Sequence, residues 1–178
     1  MKAHIAVGSK TQVICAAEIT TKKTGDSPMF KPLFQIYSKY FEFKELSADK
    51  VYSSKANVCM AVESGIRPYI PFRSNTNPES HTNPQPEVWK KMYKYFKEHE
   101  LVFMQHYHER SKVETAFSMV KKRLGPSIRA KDNTAQKNEL LCKFLVHNIT
   151  VLIQEMFGLG IEVDFFEAAQ KVAQKSRG

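Results

Sequence analysis

The sequence predicts a mixed α/β domain, and three observations carry that reading. Short segments at 4–7, 13–20, 45–48 and 67–71 read as strands, and longer segments among them carry apolar residues at helical spacing. The order strand, strand, helix, strand, helix, strand, then helices is a mixed α/β pattern. The 178 residues, 42% of them hydrophobic, suffice for one domain with its own core.

The elements follow in order. Residues 4–7 and 13–20 read as a hairpin, joined through the polar turn Gly8-Ser9-Lys10-Thr11. A polar loop over 21–25 precedes Ser27-Pro28, a good N-cap and N1 pair for a helix to about Tyr40. Phe30, Leu33, Phe34, Tyr37 and Phe41 supply its apolar face. A brief strand over 45–48 stops at Asp49, and Ser53 or Ser54 caps a helix through Glu63 that Gly65 ends. The prolines of the 67–71 strand suit a sheet edge or a strand end. Residues 72–86, rich in Asn, Pro and Ser, read as a mobile loop.

A helix over 87–98 leads to the helix of Glu114, which Gly125-Pro126 stops. The last long helix spans about 134–157 and is broadly apolar, so it is expected to be deeply packed. Asp164 can cap a short terminal helix with a basic tail, so 1–160 and 161–178 are the expected divisions. Trp89 and Tyr93 read as core residues.

Lys and Arg number 27 against 18 acids, a net charge of +9. That excess favours a polyanionic partner, most simply DNA. Cys15, Cys59 and Cys142 sit in apolar runs and read as buried free thiols of a reducing cytosol, not a disulfide frame or zinc knuckle. No apolar run approaches 18 residues and no signal peptide is visible, which predicts a soluble protein with no membrane partner.

The most informative run is Tyr107-His-Glu-Arg110-Ser-Lys-Val-Glu114 with Lys121 beyond it. Wound as one helix, Tyr107, Arg110, Glu114 and Lys121 fall within an arc of roughly 60°. Val113, Phe117, Val120 and Leu124 fall on the neighbouring arc. A carboxylate flanked by cations beside an apolar stripe suits a metal and phosphate site. The plainer alternative is an amphipathic helix with an Arg110–Glu114 surface pair.

The spacing Y-x2-R-x3-E-x6-K at these four positions resembles the signature of insertion-sequence DDE transposases. The segment Glu114-Thr-Ala-Phe-Ser-Met-Val-Lys-Lys-Arg-Leu-Gly125 looks like that family's catalytic-glutamate helix. Leu46-Ser-Ala-Asp49-Lys50-Val-Tyr52 resembles the segment of its second catalytic aspartate. The hairpin over 4–20 resembles strands that follow the first one. The resemblance covers residues 2 to about 160. It implies a ribonuclease-H-like mixed sheet with flanking helices, and a function in DNA transposition. It also implies metal-dependent cleavage and transfer of duplex DNA at the element's inverted repeats.

Carried over by motif, Asp49 and Glu114 are the catalytic and metal-binding carboxylates, for Mg²⁺ or Mn²⁺. Hard cations prefer carboxylate oxygens, and an in-line displacement at phosphorus needs both its oxygens stabilised. Tyr107, Arg110 and Lys121 are expected at phosphate, with Lys50, Lys122, Arg123, Arg129 and Lys131 extending the positive surface. His106 and His108 point apart at i,i+2 and do not read as a metal pair.

One departure stands out. The family's first catalytic aspartate lies upstream of the segment that opens this chain, so the resemblance implies an N-terminally truncated domain lacking one of three ligands. Asp26 resembles a family position without a catalytic role. A non-catalytic DNA-binding remnant or regulator of transposition is therefore the second reading, and an unrelated α/β protein the third. The expected setting is cytoplasmic and nucleoid-associated, with homo-oligomerisation open.

Overall fold

A computed structural model gives the fold, and it describes residues 1–79 and 86–161. Part of the 72–86 loop and the expected Asp164 helix lie outside the described residues. Strand β1 (Lys2–Val7) pairs antiparallel with β2 (Ile14–Thr20), from Lys2 opposite Thr20 to Ala6 opposite Ala16. After a 3-10 turn at Ser27–Met29, helix α1 (Phe30–Tyr40) packs against this hairpin. The turn takes the place of the helix's expected first residues, with Pro28 fixing its φ.

Strand β3 (Glu45–Ser47) runs parallel to β4 (Arg67–Tyr69), and α2 (Lys55–Glu63) forms the crossover. Ser54 caps α2, its hydroxyl accepting from the Asn57 N–H at 3.2 Å. Asn57 is itself buried, and its side-chain amide donates to the carbonyls of Ser27 at 3.1 Å and Tyr52 at 3.0 Å. One buried amide thus ties the turn before α1 to the turn that follows Asp49.

Helices α3 (Glu87–Glu98) and α4 (Glu100–Tyr107) follow, then a 3-10 turn at His108–Arg110, then α5 (Ser111–Leu124). Gly125, at φ 82°, ends α5. Asp132 caps α6 (Asn133–Gly158), accepting from the N–H groups of Thr134 and Ala135.

Three apolar clusters hold these parts. Ile5, Ile14, Ala116, Val120 and Phe144 join the hairpin to α5 and α6. Phe30, Phe34, Ala61, Ile66 and Ile70 join α1 to the parallel pair. Val58, Phe72 and Trp89 seat α3, so Trp89 is core.

The mixed α/β class stands, but the strands do not form one mixed sheet. They form two two-stranded sheets, and among the described residues no strand pairs with the outer edge of β1 or of β3. Lys44 O and Ala48 N–H bond to β4, so the backbone groups of Glu45 and Ser47 turn to the opposite, open edge.

Two expectations are corrected at α6 and the cysteines. Only Phe144, His147 and Val151 are buried; Leu145, Ile149, Leu152 and Ile153 are about half exposed, so the helix is not deeply packed. One arc meets β2 and α5, while Leu145, Ile149, Leu152 and Ile153 lie outside it. Cys142 is an exposed thiol, while Cys15 and Cys59 are half-buried. By length and composition α6 also contains an 18-residue stretch apolar enough to cross a membrane, a property that core helices of soluble proteins share.

Within its buried arc α6 carries Asn148, which pairs with both backbone groups of Ile14 at 2.8 Å each. His147 bonds to the Gln12 carbonyl at 2.9 Å. These contacts fasten α6 to the start of β2 at Ile14 and to the turn before it.

His4 on β1 is buried, with its Nε2 3.0 Å from the Thr20 hydroxyl. Burial pushes its pKa below 6.5, outweighing the pull of Asp26, 3.5 Å away. Lys2 also lowers it, and Glu18 raises it. Between the lowered value and 6.5 the unfolded chain holds a proton that the folded chain does not. The contribution is therefore complete above pH 6.5 and is lost as pH falls below it. The melting temperature of wild type is expected to climb with pH over that window, and His4→Gln to flatten the climb. Parallel melting curves for the two proteins across pH 5 to 7 would remove His4 as the cause.

Candidate active site

A cleft of about 500 Å³ opens between β1, α1, β3 and the start of α5. Residues of β1 and β3 both line it, and among the described residues each of these strands has a partner on one side only.

Asp49 stands at the end of β3, just past Ala48, whose N–H still reaches the Tyr69 carbonyl at 3.4 Å. There the chain leaves the sheet, and the Asp49 carbonyl accepts from the Tyr52 N–H at 2.9 Å. The carboxylate lines the cleft and is half-buried. The Tyr52 hydroxyl is pushed up to about 12, first by burial, then by the negative charges of Asp26 and Asp49. Both aspartates therefore act on one phenol from the cleft wall.

Glu114 projects into the same cleft from the first turn of α5, with its side chain 68% exposed. A carboxylate there also meets the positive end of the helix. Arg110 donates to it from Nη1 at 2.8 Å and lies over the Tyr107 ring at 5.3 Å. Partial burial works against the Arg110 charge, but Glu114, Tyr107 and the charge of Asp49 outweigh it and raise the pKa above its ordinary value. One guanidinium is thus stabilised by both carboxylates that the motif singles out.

What sets this geometry is the C-terminal end of α4. Ser47 donates to the His106 carbonyl at 2.7 Å, and His106 Nδ1 is 2.8 Å from Glu45 Oε2. The His106 ring stacks on Tyr69 at 4.3 Å and 7°. These contacts fasten α4 to β3, so the 3-10 turn carries Arg110 and then Glu114 to the cleft beside Asp49.

The family model of the transposase DDE domain matches residues 1–149. The chain belongs to the DDE transposase family. No curated protein and no solved structure matches it. As a DDE transposase it is by family an enzyme of DNA transposition, from a group that acts on DNA and generally uses divalent metal ions.

The other motif residues of this transposase spread away from the cleft. Tyr107 ends α4, and the 3-10 turn breaks the continuous helix expected over 107–121, because it advances more per residue than an α-turn. Lys121 lies two turns beyond Glu114, about 10 Å along α5. Lys121, Lys122 and Arg123 are exposed on its last turn, Arg123 donating to Gln154 at 3.2 Å. Arg129 and Lys131 sit in the loop before α6, which Glu139 holds by accepting from the N–H groups of Arg129 and Ala130 at 2.9 Å each. Lys50 is exposed next to Asp49. None of these lines the cleft.

Two residues that the sequence reading set aside belong to the cleft wall, Asp26 and His106. Asp26 is paired with Lys2 and faces His4 and Tyr52, and His106 acts through contacts 59 and 61 residues away in the chain. Among the described residues no group of three or more His, Cys, Asp or Glu side chains is placed to share a metal ion. Two open carboxylates still suit a hard cation, since Mg²⁺ commonly takes one or two carboxylates and keeps its waters.

Proposed function

We propose that this transposase acts on duplex DNA bearing the inverted repeats of its element, with Asp49 and Glu114 holding Mg²⁺ or Mn²⁺. The observation that carries this reading is that both carboxylates line one cleft while Arg110 feels the charge of both. When bound, the cation would stabilise the charge that develops at the reacting phosphate. Arg110 keeps the Glu114 carboxylate oriented and offsets the repulsion between two acids and a polyanion. The half-buried setting of Asp49 limits the water that competes for its oxygens. The ribonuclease-H-like reading of the fold rests on the element order and on two sheets that share this cleft.

The pairing of only two motif carboxylates favours weak activity for these residues by themselves: slow nicking without strand transfer. A non-catalytic DNA-binding or regulatory role is the second reading, and the exposed cations on the last turn of α5 and in the loop before α6 support it. A cleavage assay with Mn²⁺ on DNA carrying the element's ends tests both. Nicking that Asp49→Asn removes supports the first, and tight DNA binding without nicking supports the second.

DNA binding is expected to be salt-sensitive and tolerant of sequence. The motivation is the +9 charge and the exposed cations at 121–131. Each phosphate contact adds about 0.9 to the slope of log affinity against log salt. Replacing Lys121 and Lys122 together by Ala is expected to lower that slope by up to about 1.8 if each meets one phosphate. Fluorescence anisotropy across a salt series reads it. No affinity for duplex DNA at low salt would count decisively against the DNA reading.

A further inference from the structure

We infer that a pocket of about 360 Å³ at the start of α2 binds a phosphate group. Its walls come from the turn before α1, the start of α2, the 73–77 stretch after β4 and the first turn of α3. Lys55 and Arg73 bring two positive charges to it, and among the described residues no carboxylate lines it. That balance suits an anion and not a metal ion. The positive end of α2 adds to it, since Ser54 and Lys55, the cap and first residue of that helix, are both wall residues.

The donors are more specific than the charge. Ser54 Oγ accepts from the Asn57 N–H, and Ser27 Oγ accepts from the Asn57 side-chain amide at 3.3 Å. Each hydroxyl therefore still has its own proton to give. The observation that decides for a ligand is Trp89. Its side chain is 5% exposed, it forms part of the pocket wall, and Phe72 and Tyr93 hold its ring at 5.0 and 5.8 Å between centroids. Its Nε1–H has no hydrogen-bond acceptor among the described residues. A buried donor left unpaired is costly, and a phosphate oxygen would supply the missing acceptor. Two hydroxyls, one indole N–H and two cations make a donor set for the acceptor oxygens of phosphate. Val51 lies in the walls of both this pocket and the cleft, which makes a DNA backbone phosphate one source of the group and free phosphate the other.

Trp89 is the chain's one tryptophan, so its fluorescence reports directly on this pocket. Sodium phosphate added to the full chain, without metal or DNA, is expected to give a saturable change in that emission. Sodium chloride at equal ionic strength should give none. Arg73→Gln is expected to weaken phosphate binding at least about tenfold, with unchanged circular dichroism because Arg73 is exposed. Asn75→Asp, which sets a carboxylate at an exposed wall position, should weaken it as well. No saturable change, an equal change with chloride, or an affinity that both variants leave intact overturns the inference. Short duplex DNA then separates the two sources. If it displaces the bound phosphate, the pocket takes a backbone phosphate; if the phosphate stays bound, it takes free phosphate. Both results keep the pocket, and neither depends on the roles of Asp49 and Glu114.

Discussion

Glu114→Gln is expected to lower metal-dependent nicking by about 100- to 1,000-fold, the range for loss of one preorganised electrostatic group. Gln keeps the length of the side chain and an acceptor for Arg110, so it removes charge more than shape. The side chain is 68% exposed, so the fold should not change. A drop in Mn²⁺ affinity measured by calorimetry should accompany the loss, which separates a missing ligand from a misplaced substrate. Asp49→Asn should behave the same way, and the double variant should be scarcely worse than either, because both act on one ion. Nicking by Glu114→Gln at the wild-type rate would exclude Glu114 from the chemistry. The motif would then mark only the i,i+4 surface pair with Arg110.

Phe103→Ala is expected to cost about 3–5 kcal/mol of stability, the usual range for emptying a large core site. Phe103 is fully buried, with its ring 5.2 Å from Tyr69 and 4.8 Å from Phe96. It is the anchor of α4, a helix with few other buried residues. Tyr69 also carries His106 on its other contact, so loosening Phe103 should disturb the fastening of α4 to β3. Urea unfolding measures the stability change, and the cleavage assay should show a lowered rate even where the variant is folded. A loss under about 1 kcal/mol would mean the site collapses around the gap and that α4 is not held as described.

Local chemistry made much of this legible. Pro28, Ser54, Gly65 and Gly125 punctuate the chain near where the sequence placed its boundaries, and α3 spans 87–98 as expected. Asp49 at a strand end and Glu114 on a helix were both readable from pattern. Three things were not. The 3-10 turn at His108–Arg110 has no breaker residue, and its geometry answers to the contacts of His106 with Ser47 and Glu45. Asp26 enters the cleft through pairing with β1, which no local signal records. The burial of α6 was misjudged because an apolar face announces that it will be covered, not what will cover it.

The unpaired edges of β1 and β3 have a consequence for handling the protein. A border of unpaired N–H and C=O groups is a template for any extended chain that reaches it. Here residues of both strands line one slot, with Lys2 and Glu45 as charged residues along them. Preparations of these residues should therefore lose soluble material on standing, faster at high concentration and in high salt, where the mutual repulsion of +9 molecules is screened. A short, strand-forming peptide added in excess should slow that loss by occupying the slot before a neighbouring molecule does.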